Sequence, residues 1–232
     1  MNMQGQSMQI DITSIASIDL TYGATAAGGT PVTIDYKSLE GRFSNPMGGA
    51  TSLTAADLPG PATLTVTPTG SVAVGEIPQM TPAALQVLGT ESTLKRLFQP
   101  LPGETVAAGA MWTDTVSTVD DNSGLTASTT SIISSTLVGD TMVAGRRLQV
   151  IRSESSITTE IAGSTQGFEI RQSLSGTSRG TSLWDASLGA LVERQEIVSL
   201  AGTMAMPGMG MSGIPVSFES RQAMRLQTGP AR

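Results

Sequence analysis

Four methionines lie close together near the C-terminus, within the segment GTMAMPGMGMSGIP that covers residues 202–215. Thioether sulfur is a soft ligand, and Met-x-Met spacing suits Cu(I). Methionine is also an adaptable packing residue at apolar binding surfaces. Because Pro207 and several glycines interrupt the segment, the sequence favours a long flexible hairpin loop, with an apolar or membrane-proximal contact and a copper site as open alternatives. The candidate partner or ligand contacts are Met204, Met206, Met209 and Met211.

Most other chemistry is excluded by residue types that the chain lacks. It has no cysteine and no histidine, which excludes disulfides, thiolate or imidazole metal ligands and a Cys or Ser–His nucleophile pair. Its only lysines are Lys37 and Lys95, and no phosphate-binding glycine motif opens a helix. The sequence therefore predicts a protein that is not an enzyme and that holds no cofactor, and it predicts no metal beyond the copper alternative at the methionines.

Paired carboxylates are the acidic feature that hydrolytic chemistry could use. Asp120 and Asp121 are adjacent, and neighbouring strand residues point to opposite faces, so the two carboxylates do not form a pair by themselves. We interpret them as part of a polar hairpin turn. Glu193 and Glu196 flank Arg194, and we interpret this group as solvated charges on a sheet.

The two tryptophans, Trp112 and Trp184, each lie in a predicted strand beside polar residues. Such residues anchor a core or a sheet surface, and their rings can also stack on a ligand. We therefore include both among the candidate contact residues.

Alternating apolar and polar residues predict strands along most of the chain. Val32, Ile34 and Tyr36 share one face of such a strand, a bulge is expected near residues 13–14, and residues 44–56 read as a glycine-rich loop. The fold class predicted is mainly β, an antiparallel curved sheet (half-barrel or sandwich) with one short helical segment. Strands are expected at 10–22, 31–43, 62–66, 71–77, 111–118, 125–135, 147–160, 165–174, 181–185, 190–200 and 216–227. Turns are expected at 67–70, 120–124, 138–140, 161–164, 174–176 and 185–189.

The helical segment covers residues 81–98. Thr81 suits an N-cap, Pro82 suits the first helical position, and Gly89 divides the segment into two short helices. Two short helices around a glycine also suit a helix-turn-helix DNA-binding unit. Since the chain carries 13 basic and 19 acidic residues, we predict no nucleic-acid partner. We favour a helical linker that covers one face of a sheet.

The length of 232 residues predicts a single β-rich domain over 1–232, with two pseudo-repeated halves, 1–99 and 100–232, as an open alternative. No apolar run approaches a membrane span. The polar N-terminal residues are typical either of a cytoplasmic protein or of a mature chain from which a signal peptide has been removed. Serine and threonine make up about a quarter of the residues, which favours the second interpretation and a periplasmic or envelope location.

The stretch LPGETVAAGAMWTDT, residues 101–115, carries a P-x-x-x-V-x-x-G-x-x-W pattern ahead of long threonine-rich strands. In this respect the chain resembles bacterial envelope lipoproteins and, more distantly, lipoprotein carriers of the LolA/LolB type. The resemblance implies a curved sheet whose concave face is crossed by helices and can hold an acyl chain, with residues 81–98 as the plug. It departs from the pattern in having no lipobox cysteine, which leaves a lipid anchor open.

Two functions remain from these observations. The first is a non-catalytic structural or assembly subunit on the periplasmic face of a membrane protein complex, for example a photosynthetic reaction-centre–antenna complex. The second is a half-barrel carrier or binder of lipid or another lipophile, which predicts an apolar cavity of ligand size.

Overall fold

The computed structural model shows two antiparallel sheets that follow one another along the chain. No helix among the described residues is long and apolar enough to cross a membrane. The predicted fold class, mainly β with antiparallel sheets and little helix, is confirmed. The structure describes residues 11–45, 49–77, 80–81, 84, 94–95, 97–122, 124–165 and 168–226.

The first sheet has five strands in the order β1-β2-β4-β5, with β3 also pairing with β2. The predicted hairpin at 62–77 is present as β4 and β5. The region 44–56 was expected to be a loop, and this was wrong, because part of it pairs with the end of β2 as β3. The bulge expected near residues 13–14 lies instead between Ser17 and Ile18. The strands are β1 (Asp11–Tyr22), β2 (Thr30–Asn45), β3 (Gly49–Leu53), β4 (Ala62–Val66) and β5 (Val72–Val74).

One face of this sheet forms the main apolar core. Val32 and Ile34 are fully buried and Tyr36 is buried beside them, as the alternation in β2 predicts. Ala84 and Leu94 pack into the same core. Residues 84, 94 and 95 are helical, whereas most of the predicted helical segment 81–98 lies outside the described residues.

Thr81 makes the interaction expected of an N-cap. Its hydroxyl accepts a hydrogen bond of 3.2 Å from the backbone N–H of Ala84, three residues later. It also donates one of 2.8 Å to Asp57, which belongs to a short 3-10 turn at Ala55–Asp57. These bonds tie the start of the segment to the first sheet.

The second sheet is a six-stranded meander in the order β11-β10-β9-β8-β7-β6. Four of its strands, β7 to β10, are longer than any strand of the first sheet, whose longest has 16 residues, and β8 has 20. Along each strand one face is more buried than the other, so the sheet has an inner and an outer face. The strands are β6 (Met111–Asn122), β7 (Leu125–Val143), β8 (Arg146–Thr165), β9 (Phe168–Asp185), β10 (Ala190–Met206) and β11 (Met211–Arg225).

Three of the turns predicted in this half were wrong. Residues 138–140, 161–164 and 174–176 all lie inside continuous strands. At 138–140 the glycine forms a bulge, since the register shifts between Leu137 and Gly139 and pairing with β8 then resumes. A glycine that was expected to end a strand therefore lies at a bulge within it.

The turn predicted at 185–189 is present between β9 and β10, and Asp185 organises it. The carboxylate of this buried residue accepts hydrogen bonds from the Ser187 hydroxyl (2.6 Å) and from the backbone N–H groups of Ser187 (2.9 Å) and Leu188 (3.2 Å). The Ser187 hydroxyl most of all, helped by the two N–H groups and by Arg146 nearby, lowers the pKa of Asp185 against the opposing effect of burial.

A lowered pKa in the folded state means that the stabilisation is present above the unfolded pKa and is lost as the pH falls. We therefore expect the free energy of unfolding to decrease as the pH is lowered from about 5 through about 3.9. In Asp185→Asn this decrease should be smaller, as measured by urea denaturation at several pH values. Gln222→Ala, at an exposed position without a titratable group, is the control and should keep the parent dependence; an equally steep decrease in Asp185→Asn would contradict the assignment.

Candidate functional site

A surface cleft of about 510 Å³ lies where the two sheets meet. Three pieces of chain build it: the turn between β4 and β5, the segment that leads into the second sheet, and the start of β6. It is lined by Thr69, Ser71, Leu101, Pro102, Gly103, Glu104, Trp112, Thr113 and Asp114.

The β4–β5 turn forms one wall. The N–H of Thr67 donates to the carbonyl of Ser71 (2.9 Å), and the N–H of Gly70 donates to the carbonyl of Thr67 (2.9 Å). Gly70 has a φ of +78°, and a Cβ there would lie 2.0 Å from the carbonyl oxygen of Gln99. Glycine is therefore needed twice, for the turn itself and for the close approach of the next segment.

Residues 99–104, which we call the connecting segment, are held between the sheets. The N–H of Leu101 donates to the carbonyl of Thr69 (2.8 Å) in the first sheet. Gln99 is buried, and its side-chain carbonyl accepts a hydrogen bond of 2.9 Å from the hydroxyl of Ser182 on the inner face of β9. One short stretch thus connects both sheets and holds the floor of the cleft in place.

Gln99→Ala should lower the free energy of unfolding by about 2 kcal/mol, because it leaves the buried Ser182 hydroxyl without this partner. Chemical denaturation followed by circular dichroism measures the change. Gln222→Ala removes the same side chain at an exposed position and should change stability by less than about 0.5 kcal/mol. Equal effects of the two substitutions would contradict the role given to Gln99.

Trp112 forms the aromatic wall. It is half-buried, and its indole N–H donates a hydrogen bond of 3.1 Å to the carbonyl of Pro100, which fixes the ring against the connecting segment. Asp114 follows two residues later on the same face of β6 and is also half-buried, whereas Glu104 on the opposite piece of chain is exposed. The lining of the cleft therefore combines an aromatic ring, hydroxyl groups and two carboxylates, and it contains no basic residue.

A second polar group lies on the inner face of the second sheet. The Ser178 hydroxyl donates to Glu196 (2.7 Å), which accepts from Arg194 (3.0 Å), and the hydroxyls of Ser155 and Ser178 are hydrogen-bonded to each other. Glu196 is only 8 % exposed, so the interpretation of this glutamate and Arg194 as solvated charges was wrong. Their exposure was predicted from the sequence of one strand, whereas the burial of a side chain depends on what packs over the sheet.

Ser178 sits in the run GTSRG, residues 176–180, whose letters match the G-x-S-x-G motif of serine hydrolases. That motif requires a sharp strand-to-helix turn and a histidine partner. Here the run lies inside β9, and the chain has no histidine. The two glycines instead allow close approach of β10, since a Cβ at Gly176 would lie 2.0 Å from the carbonyl oxygen of Ser199.

The structure separates the six predicted contact residues. Trp112 lies in the cleft, on edge strand β6, whereas Trp184 is half-buried on β9, three strands away. The four methionines lie where β10 meets β11, at the end of the sheet opposite Trp112.

The methionine segment is not a long flexible loop, so that interpretation was wrong. β10 continues to Met206, a short 3-10 turn covers Pro207–Met209, and β11 begins at Met211. Met204 and Met206 are buried against Leu174 and Val216, Met211 packs on the same cluster, and Met209 is half exposed at the turn. Spacing of two residues places Met204 and Met206 on one face of a strand, where they fill an apolar core.

Sequence reasoning identified Trp112 and the stretch that begins at Leu101, but it did not identify Gln99, Thr69 or Asp114. Gln99 and Ser182 are 83 positions apart, and nothing local signals such a contact. The turn residues Pro68 and Gly70 were recognised as a turn, not as a wall of a cleft. Among the described residues no group of three or more Asp or Glu side chains is placed to hold a metal ion. Comparison with protein-family models, with curated proteins and with solved structures finds no match to this chain.

Proposed function

We propose that this chain is a non-catalytic β-scaffold that acts by binding a partner, as an assembly subunit of a larger complex, and that the Trp112 cleft is its contact site. The observation that carries the proposal is the cleft itself: an aromatic ring fixed by a hydrogen bond, at the junction of the two sheets, in a pocket of about 510 Å³. Pockets that combine an aromatic wall with a few placed polar groups are typical of binding sites. The polar side chains that line it are hydroxyls and carboxylates, without a nucleophile–base pair.

The inner face of the second sheet supports the scaffold over the carrier of a lipophile. In the part of this face that the structure describes, a cavity beneath Phe98 and Gln99 measures about 40 Å³, and it is bordered by the apolar side chains of Val116 and Ile133 as well as by serines, Arg194 and Glu196. A void of that size holds no more than a few water molecules, and an acyl chain does not fit there. A carrier would need an apolar cavity of several hundred Å³.

The partner that we propose is a subunit of a membrane protein complex at the periplasmic face or in the cell envelope. The support is compositional: the chain is rich in serine and threonine, poor in lysine, and has a net charge of −6. The outer face of the second sheet carries serine and threonine side chains together with exposed apolar ones such as Ile132 and Ile197, and apolar side chains on a surface suit contact with other subunits.

The test is affinity purification of the tagged full-length chain from detergent extracts of its native membranes, with three versions compared: parent, Trp112→Ala and Trp184→Ala. The second substitution is the matched control, because it removes a half-buried tryptophan far from the cleft. We expect the parent and Trp184→Ala to retain the same membrane subunits in fixed stoichiometry, and Trp112→Ala to lose them.

Two results would overturn the proposal. A parent chain that is recovered alone from native membranes is not an assembly subunit. Equal recovery of subunits by Trp112→Ala and parent, with both folded by circular dichroism, would show that the cleft is not the contact site.

A further inference from the structure

We propose that the Trp112 cleft recognises an organic cation, namely the alkylammonium group of a lysine side chain that the partner inserts. This inference rests on the proposed function, since it names the chemical group that the contact site would take. It is drawn from three features of the cleft: the sign of its charges, the nature of its aromatic wall and the arrangement of its hydroxyl groups.

The charges in the cleft are all of one sign. Glu104 lies on the connecting segment and Asp114 on β6, so two different pieces of chain bring carboxylates to the same pocket. No lysine or arginine is among the lining residues, which distinguishes this cleft from the outer face of the second sheet. There, carboxylates are paired with arginines, as in Glu154 with Arg179 and Glu169 with Arg171. A partner that brings a cation would supply the missing charge.

The aromatic wall favours the same ligand. Tryptophan is the side chain whose ring face attracts a cation most strongly. The hydrogen bond from its N–H to Pro100 uses the edge of the ring and not its face, and the ring is part of the cleft lining. A lysine side chain has two parts that suit this pocket. Its methylene groups can pack against Trp112 and Leu101, and its ammonium group can interact with the carboxylates.

The hydroxyl groups complete the set of acceptors. Thr69 and Ser71 lie on the β4–β5 turn, and the Thr69 hydroxyl is within 3.0 Å of the Thr67 hydroxyl. A lysine ammonium donates three hydrogen bonds and accepts none. Hydroxyl oxygens and carboxylates around one pocket are acceptors of the kind that such a donor needs.

The experiment titrates the folded full-length chain with two blocked tripeptides, Gly-Lys-Gly and Gly-Gln-Gly, and follows Trp112 fluorescence in a Trp184→Phe background. We expect saturable binding of the lysine peptide in the millimolar range, weakened severalfold by high salt, and no saturation with the glutamine peptide. The double variant Glu104→Gln with Asp114→Asn should bind the lysine peptide about tenfold more weakly. Asp121→Asn with Glu154→Gln removes two exposed acidic groups outside the cleft and should bind like the parent.

Equal binding of the two peptides, or unchanged binding by the cleft double variant, would overturn the cationic ligand. The same variant separates this inference from the proposed function in the membrane purification. If Glu104→Gln with Asp114→Asn still retains the partner subunits and Trp112→Ala does not, the contact site stands and the lysine proposal fails. If the parent retains no subunits, the proposed function itself fails.

Discussion

Gly202→Ala should lower the free energy of unfolding by about 3 kcal/mol, because overpacking against the backbone of a paired strand is costly. Gly202 lies in β10, between β9 and β11. A Cβ at this position would lie 1.8 Å from the carbonyl oxygen of Ser173 and 2.8 Å from its carbonyl carbon. The methyl group meets the backbone of a paired central strand, so the two strands must separate to admit it. Urea denaturation followed by circular dichroism measures the loss.

Gly208→Ala is the control for this substitution. No atom lies within 4 Å of a Cβ at Gly208, so the change should be within about 0.5 kcal/mol. Gly176→Ala is a second test of the same contact between β9 and β10, since its Cβ would lie 2.0 Å from the carbonyl oxygen of Ser199. Parent-like stability of both Gly202→Ala and Gly176→Ala would show that these strands do not approach as closely as described.

Ile34→Ala should lower the free energy of unfolding by about 4 kcal/mol, within the range for a fully buried isoleucine. Ile34 has no exposed surface, and it lies in β2 between Leu20 of β1 and Ala62 of β4. Removal of three carbon atoms there leaves a cavity enclosed by strands on both sides, which cannot collapse readily. Thermal and urea unfolding of the two proteins give the difference.

Ile15→Ala makes the same chemical change on β1, where Ile15 is 70 % exposed. Its effect should be less than about 0.5 kcal/mol. If Ile34→Ala were no more destabilising than Ile15→Ala, the core of the first sheet would have to lie elsewhere.

Local sequence patterns determined some features of this fold and not others. The alternation of Val32, Ile34 and Tyr36 predicted a strand with one buried face, and that face is the core of the first sheet. Thr81 was recognised as an N-cap from residue type and position alone. Both are local features, because the period of side chains along a strand and the needs of a helix start are set within a few residues.

The glycines behaved differently. Those near 139, 163 and 176 were interpreted as turns, yet each lies within a long strand. A glycine has the same local freedom in a turn, in a bulge and at a close approach between strands. Only the neighbouring strand decides between these roles, and the contact of Gly202 with Ser173 is invisible from either segment alone.

The cleft depends on tertiary structure in the same way. Residue types alone exclude cysteine and histidine chemistry, and alternation alone predicts a chain of antiparallel strands. That Trp112, Glu104 and the β4–β5 turn line one pocket follows from the hydrogen bonds of Gln99 and Leu101 to different sheets. Burial of Glu196 and of the methionines on β10 has the same origin, because exposure is a property of the assembled layers. Local patterns are encoded over a few residues, whereas a binding surface is built from residues that folding brings together from distant parts of the chain.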